Sequence, residues 1–365
     1  MAKSISAPVG EGGSNRTADV KTIQELLNRI PTSKGGPQPL LAVDGLVGPK
    51  TIGAIRNFQR FHFGWSDGRV DTNNVTIAKL NELATGPPAP PHPPVRFEET
   101  KVNNGFDKKV NPPWQMVPVA GFKLVKVTNT NGVTFSCKNP AIASVVQISP
   151  NLIQIGGLSH ATTLIEAKDA SGNLLGTLEV AVKNKKTIVT SFFYVEDSAK
   201  PVKHRTTRSL GDEVKLTKLV NDIYEPQANI EFKVRSAKPL VINKDLGNVV
   251  RWARAIPGVP LSEDEWELIK SKRDPGADYN VFFVWEYEQD ATPNIDDVEA
   301  GTIDTDKMTI LEDNLTDITA DEVLAHEAGH FLKVHDHSTD SDDLMVGAGK
   351  SKLKIPKAHA NVMNP

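Results

Sequence analysis

Three hydrophobic patterns follow one another along the 365 residues. Over residues 18–84 the apolar positions recur at helical spacing. Ile23, Leu27 and Ile30 stand at i, i+4, i+7, and Ile52, Ile55 and Phe58 at i, i+3, i+6, which predicts two short helices. Ile77 and Leu80 predict a third behind a cap at Asp71 or Thr72. Between the first two, VDGLVGPKT supplies a tight turn at Asp44, Gly45 and Gly48, with Pro49 at the first helical position. A small three-helix bundle within 1–86 accounts for this stretch.

The period then shortens. Phe122–Val127, Val133–Cys137, Ala143–Ile148, Leu152–Ile155, Thr163–Ala167 and Leu174–Val182 are short, β-branched-rich runs parted by turn residues such as Asn131-Gly132 and Ser171-Gly172. They predict a small immunoglobulin-like β-sandwich over 116–184. His160 is its only histidine, and no set of ligands converges there, so it is expected to act as a spacer or adhesive module. Ahead of it, six of the eight residues Pro87–Pro94 are proline. Such a run favours extended polyproline II, and a semi-rigid linker is expected over 87–115.

From Lys186 to Pro365 strand and helix patterns alternate. Thr187–Val195 is a continuous apolar strand, Asp212–Ile223 a helix, Ala228–Val234 and Val281–Trp285 strands, and Thr319–Val334 a helix whose Thr319 and Glu322 have capping-box spacing. The chain therefore reads as multidomain, ending in an α/β (α+β) domain.

Composition narrows the chemistry. The single cysteine, Cys137, excludes an internal disulfide and a cysteine zinc site. No apolar run reaches a membrane span, and the start MAKSISAPVGEGG lacks the apolar core of a secretory signal. The net charge of -3 divides as +3 over 1–86, +4 over 87–185 and −10 over 186–365, without the basic stripe that nucleic acid requires. Four of the nine histidines lie between His326 and His337.

In LAHEAGHFLKVHDH, His326 and His330 stand four apart and share one helix face, where two imidazoles can bind one Zn²⁺. Glu327, beside the first ligand, is placed to act as general base toward a metal-activated water. The stretch resembles the metzincin metallopeptidases, whose pattern is HExxHxxGxxH followed by a methionine turn. HSTDSDDLM has the matrixin spacing from third histidine to methionine, which implies His337 as third ligand and Met345 as the Met-turn residue. At the pattern's own position stands Asp336, the snapalysin-like alternative, and His335 is a further candidate. Lys333 replaces the family glycine and would need a left-handed conformation. The resemblance extends to Asn221–Phe232 as the join from first helix to next strand, to Gly301–Leu311 as the edge strand for an extended substrate, and to the terminal IPKAHANVMNP as a closing helix. His359 is expected there as a surface residue. The acidic clusters Glu263–Glu267 and Asp340–Asp343 are expected to face solvent rather than to hold calcium.

Residues 18–84 resemble the peptidoglycan-binding domain of bacterial and phage wall hydrolases, through Gln24, Leu27, Asp44, Gly45, Gly48, Thr51, Ala54, Phe58 and Gln59. The resemblance implies a non-catalytic groove for wall peptide or glycan around Asp44, Gly45, Gly48 and Thr51. There, backbone N–H groups at a helix N-terminus suit a stem-peptide carboxylate. Together the two resemblances imply a bacterial or phage-related zinc metalloendopeptidase targeted to peptidoglycan or wall-associated protein. Without a classical signal peptide, an export route such as type VI secretion is expected, to the wall, the periplasm or outside the cell. A secretion apparatus and an immunity protein are the further partners this implies. The alternative is a non-catalytic adhesin or tail component with a structural zinc.

Overall fold

The computed structural model describes residues 2–84, 93–198, 203–252, 265–288, 299–313, 315, 319–347 and 352–365. The chain divides into two compact units, one of residues 1–95 with 129–134 and 167–175, the other of 96–128, 135–166 and 176–365.

In the first unit, β1 (Val9–Gly10) pairs antiparallel with β2 (Arg69–Val70). Helices α1 (Thr17–Asn28), α2 (Pro49–Phe63) and α3 (Val75–Ala84) enclose Val20, Ile23, Leu27, Ile55, Phe58 and Leu80. These are the positions that helical spacing marks out. Pro49 opens α2, and Gly64 ends it in the left-handed conformation, φ 74. The cap of α3 differs from expectation. Asn74, immediately before the helix, accepts the N–H groups of Thr76 and Ile77 at 2.8 and 3.4 Å, while Asp71 is held by Arg69.

In the second unit the β-rich stretch forms two sheets. One runs β4-β5-β11-β10-β7, with β4 (Phe106–Asp107), β5 (Trp114–Pro118), β7 (Thr134–Cys137), β10 (Ala161–Lys168) and β11 (Leu174–Lys183). The other runs β3-β6-β9-β8, with β3 (Phe97–Glu99), β6 (Phe122–Val127), β8 (Ala143–Ser149) and β9 (Leu152–Gly157). Burial alternates along β9 and β10, as one-sided strands require. Of the proline-rich segment, residues 85–92 lie outside the described residues. Beyond Val95 the segment is strand rather than linker: Phe97 and Phe106 are buried, and their strands pair with β6 and β5. Nor is this stretch a free spacer. Trp114, Met116 and Ala181 share one apolar core with Ile188, Tyr224 and Met363 of the α/β portion.

That portion centres on β12 (Lys186–Asp197) and β13 (Ile230–Ile242), with β14 (Val250–Arg251), β15 (Tyr279–Phe283), β16 (Tyr287–Glu288), β17 (Ala300–Ile303) and β18 (Met308–Leu311). The main sheet runs β13-β12-β15-β18-β17, parallel except for the antiparallel edge pair β17–β18. Phe192 and Tyr194 face one core and Phe193 and Val195 the other, so β12 is buried on both sides, with Thr190 and Ser191 as buried polar interruptions of the apolar run. Helices α4 (Asp212–Ala228) and α6 (Ala320–Phe331) pack on the first face, and α5 (Glu265–Lys270) brings Trp266 and Ile269 to the second. The closing helix α7 (Lys357–Met363) adds Ala360 and Met363 to the first core. Among the described residues no helix is long and apolar enough to cross a membrane.

Candidate metal centre and the N-terminal motif

Helix α6 begins with the capping box that its sequence encodes, Thr319 with Glu322. The Tyr224 hydroxyl anchors it by donating to the Ala325 carbonyl at 2.7 Å. It ends after Phe331 in a Schellman turn: Val334 N–H donates to Gly329 O and Lys333 N–H to His330 O, with Lys333 at φ 75. A non-glycine residue in that conformation costs about 1–2 kcal/mol. The turn reverses the chain and brings His337 back over the helix. Ser338 N–H then donates to Met345 O, closing the loop, and a Cβ on Gly329 would lie 2.2 Å from the Met345 sulfur. Glycine at 329 thus lets buried Met345 seat directly against α6.

The result is a cluster of three imidazoles. His330 Nε2 lies 3.1 Å from His326 Nε2 and 3.1 Å from His337 Nε2. His326 Nδ1–H donates to Leu344 O at 3.0 Å and His330 Nδ1–H to Val334 O at 2.7 Å. Carbonyls only accept, so both protons sit on Nδ1, and the two Nε2 lone pairs point at each other. No hydrogen bond links that pair; a shared cation would remove the repulsion. Zinc–nitrogen bonds of about 2.1 Å in tetrahedral geometry place ligand atoms roughly 3.4 Å apart, which this cluster nearly matches. Burial pushes the His326 imidazole down to about 4 and lowers that of His330, keeping both neutral as ligation needs. Glu327 is buried on the same helix, and burial pushes its carboxyl up to about 7. Its Oε2 is buried with no hydrogen-bond partner among the described residues.

Asp336 and His335 are not part of the cluster. Both are exposed, and His335 instead lies 3.9 Å from Asp304. His359 is only partly exposed and faces Asp343 at 3.2 Å, while Asp343 also accepts the Met345 N–H. That carboxylate is buried and braces the methionine turn, so the acidic run Asp340–Asp343 does not face solvent throughout as expected. Lys109 of the β-rich stretch pairs with Asp340 and Asp342 on the same loop.

A second grouping, Asp197, His204 and Asp245, also brings ligand-capable atoms together. Here hydrogen bonds account for the approach. Asp197 Oδ2 accepts from His204 Nδ1 at 2.8 Å and from Leu246 N–H at 3.2 Å, and His204 Nε2 meets Asn248 Oδ1 at 3.1 Å. The bond to Asp197 raises the His204 pKa, which favours the protonated imidazole over a metal ligand there.

In the first unit, Gln24 Nε2 donates to Asp44 Oδ1 at 2.9 Å, Leu46 O at 3.1 Å and Thr51 Oγ1 at 3.4 Å, and Gly45 N–H donates to Gln24 Oε1 at 3.0 Å. Leu46 N–H and then Gln24, both donating to Asp44, hold its carboxyl below the usual carboxylate range. Gly45 and Thr51 are buried, Asp44 stays exposed, and Gly48 caps α2 with open space around its Cα. The pattern recurs one helix later. Gln59 Nε2 donates to Asp67 Oδ1, Arg69 O and Thr76 Oγ1, and Gly68 N–H donates to Gln59 Oε1.

Residues 16–78 match the family described as a putative peptidoglycan binding domain. The N-terminal module is a peptidoglycan-binding domain. No curated protein matches the chain. Among solved structures, the Bacteroides ovatus mixed-linkage glucan utilization locus protein SGBP-B, in complex with a mixed-linkage heptasaccharide, is 21% identical over 22% of this chain and 24% of its own, with a TM-score of 0.16. The chain thus spans about a quarter of that protein's length. A chaperone–substrate complex is 12% identical over 61% of this chain and 44% of its own, TM-score 0.29. An LD transpeptidase in complex with imipenem is 11% identical over 32% and 49%, TM-score 0.14. Likenesses this slight carry no argument about the α/β portion.

Proposed function

We propose that the α/β portion is a metzincin-like zinc metalloendopeptidase that the peptidoglycan-binding domain brings to the bacterial wall. The observation that carries this reading is the convergence of His326, His330 and His337 on one point beside a buried carboxylate oxygen that lacks a partner among the described residues. His326, His330 and His337 would hold the ion, leaving a fourth position open. When bound, zinc would supply Lewis-acid polarisation of the scissile carbonyl and make the attacking water more acidic. Glu327 then takes a proton from the attacking water and delivers it to the departing amine, a role its raised proton affinity suits. Met345 seats against Gly329 of the ligand helix, and the edge pair β17–β18 offers an extended backbone beside α6 for a substrate strand. Wall binding raises the local concentration of cross-link peptides or wall proteins without adding contacts at the reacting centre.

The test measures zinc content together with hydrolysis of casein and of purified peptidoglycan, for the parent chain and for Glu327→Ala. Zinc retained with hydrolysis lost supports the reading. A parent that binds zinc and cleaves neither substrate overturns it in favour of a structural zinc.

A further inference from the structure

Among the described residues three aromatic side chains are exposed, and two of them, Phe61 at 58% and Trp65 at 43%, lie four positions apart at the end of α2. A run of rings joins them. Phe61 meets His62 at 5.0 Å between ring centroids, His62 meets Phe63 at 6.4 Å, and Phe63 stacks on Trp65 at 5.4 Å with 19° between the planes. Between the stacked pair, Gly64 ends the helix at φ 74 and lets the Trp65 ring fold back on Phe63. The run is held from behind. His62 Nε2–H donates to Lys34 O at 2.7 Å and Asn57 Nδ2 to Gly35 O at 3.3 Å, while a Cβ on Gly35 would lie 2.9 Å from the Phe61 Cβ. His62 also packs on buried Phe58 at 4.5 Å. Single exposed apolar residues need no explanation, whereas a contiguous, fixed run of them marks an interaction surface.

We propose that the run from Phe61 to Trp65 is a stacking shelf for the amino-sugar rings of the wall glycan strand. The inference rests on the peptidoglycan-binding character of the module and not on the zinc site. A pyranose ring presents a face of C–H groups, whose slightly positive hydrogens lie against the negative face of an aromatic ring. Trp65 has one face on Phe63 and keeps nearly half its surface exposed, so its other face is open to that contact. Charge is complementary as well. Arg60, in the last turn of α2, and Lys34, on the adjoining loop, are exposed cations in a stretch that carries +3 over residues 1–86, and the stem peptides along a wall glycan carry carboxylates. A docked protein needs apolar area in any form, whereas a row of rings flanked by cations suits sugar faces with acidic branches. The shelf stands at the opposite end of the 15-residue α2 from the turn at Asp44–Thr51, roughly 20 Å along the helix, so it is a separate site from that turn.

Peptide-free glycan strands, released from peptidoglycan by an amidase, test this on the full-length chain, because they hold no bond that a peptidase can cut. The parent should bind them in calorimetry and change its tryptophan emission. Trp65→Ala and Phe61→Ala should each weaken binding about tenfold with the melting temperature unchanged. Trp65→Phe keeps a ring and should bind within about twofold of the parent. It should lose the emission change, since Trp65 is the one tryptophan of residues 1–95. Alanine variants that bind the strands as the parent does overturn the shelf and leave wall binding standing. A parent retained on intact insoluble peptidoglycan that does not bind the strands overturns it too, and assigns the ligand to stem peptide. A parent retained on neither removes the wall-binding reading and the shelf with it. A parent that sediments as a dimer, and as a monomer in Trp65→Ala, overturns the shelf in favour of a second copy of this chain.

Discussion

Gln24 in α1 and His330 in α6 each stand at the centre of a knot of polar atoms beside a chain reversal. At Gln24, donors meet acceptors: its amide reaches Asp44, Leu46 O and Thr51, and its carbonyl takes the Gly45 N–H. At His330, an acceptor meets an acceptor, since its Nε2 faces that of His326 at 3.1 Å, with the His337 Nε2 also 3.1 Å away. The first knot is closed by the chain itself, and its repetition around Gln59 marks it as framework. In the proposed reading, the second is closed by a cation. Spacing motifs recruit both, so a motif residue's role is decided by whether its polar atoms already have partners of the opposite kind.

The largest expected effects fall on the open knot. His330→Ala should abolish zinc binding and hydrolysis together, read as zinc per chain and casein cleavage. Glu327→Ala should keep the zinc and lower kcat by about 10²–10⁴-fold. If His330→Ala kept its zinc, the contrast would collapse, because the cluster would then be held without its central ligand.

The closed knots should respond in stability alone. Gln24→Ala and Gln59→Ala each leave buried donors and acceptors unpaired, at about 1–3 kcal/mol per substitution. Faster hydrogen exchange at the Gly45 and Gly68 amides and a lower melting temperature of the N-terminal module would register this, with zinc content and casein cleavage unchanged. Lost retention on insoluble peptidoglycan without lost stability would instead make the turn a ligand contact.

Periodicity made the three helices legible, because Ile23, Leu27, Ile55 and Phe58 line one core at the spacing that the sequence shows. The double-sided burial of β12 was legible in the consecutive apolar residues Phe192, Phe193, Tyr194 and Val195. His326, Glu327 and His330 were legible since one helix fixes their geometry. His337 against Asp336 was not, because the reversal at Lys333 decides which side chain returns, and helical spacing says nothing beyond the helix end. The burial of Asp343 escaped for a related reason, since it depends on a contact between elements that only the packing of α7 brings about. The union of the β-rich stretch with the α/β core was equally hidden, since Trp114 and Met116 look like any inward residues of a strand.

The smallest effect, and one of opposite sign, belongs to the backbone of the two kinds of turn. Gly45 and Gly68, in the closed knots, have φ 78 and 75, and a Cβ at Gly45 would come within 2.5 Å of Thr17. At the open knot the same conformation, φ 75, is carried by Lys333. The left-handed strain of about 1–2 kcal/mol at Lys333 exceeds the roughly 0.5–1 kcal/mol of unfolded-state entropy that glycine would add. Lys333→Gly should therefore stabilise the chain by up to about 1 kcal/mol, raising the melting temperature slightly and leaving zinc content and kcat unchanged. Gly45→Ala should destabilise, because it meets both strain and the Thr17 side chain. If Lys333→Gly lowered the melting temperature, the lysine side chain would be contributing more than its backbone costs, and the turn would be specified by contacts rather than by conformation.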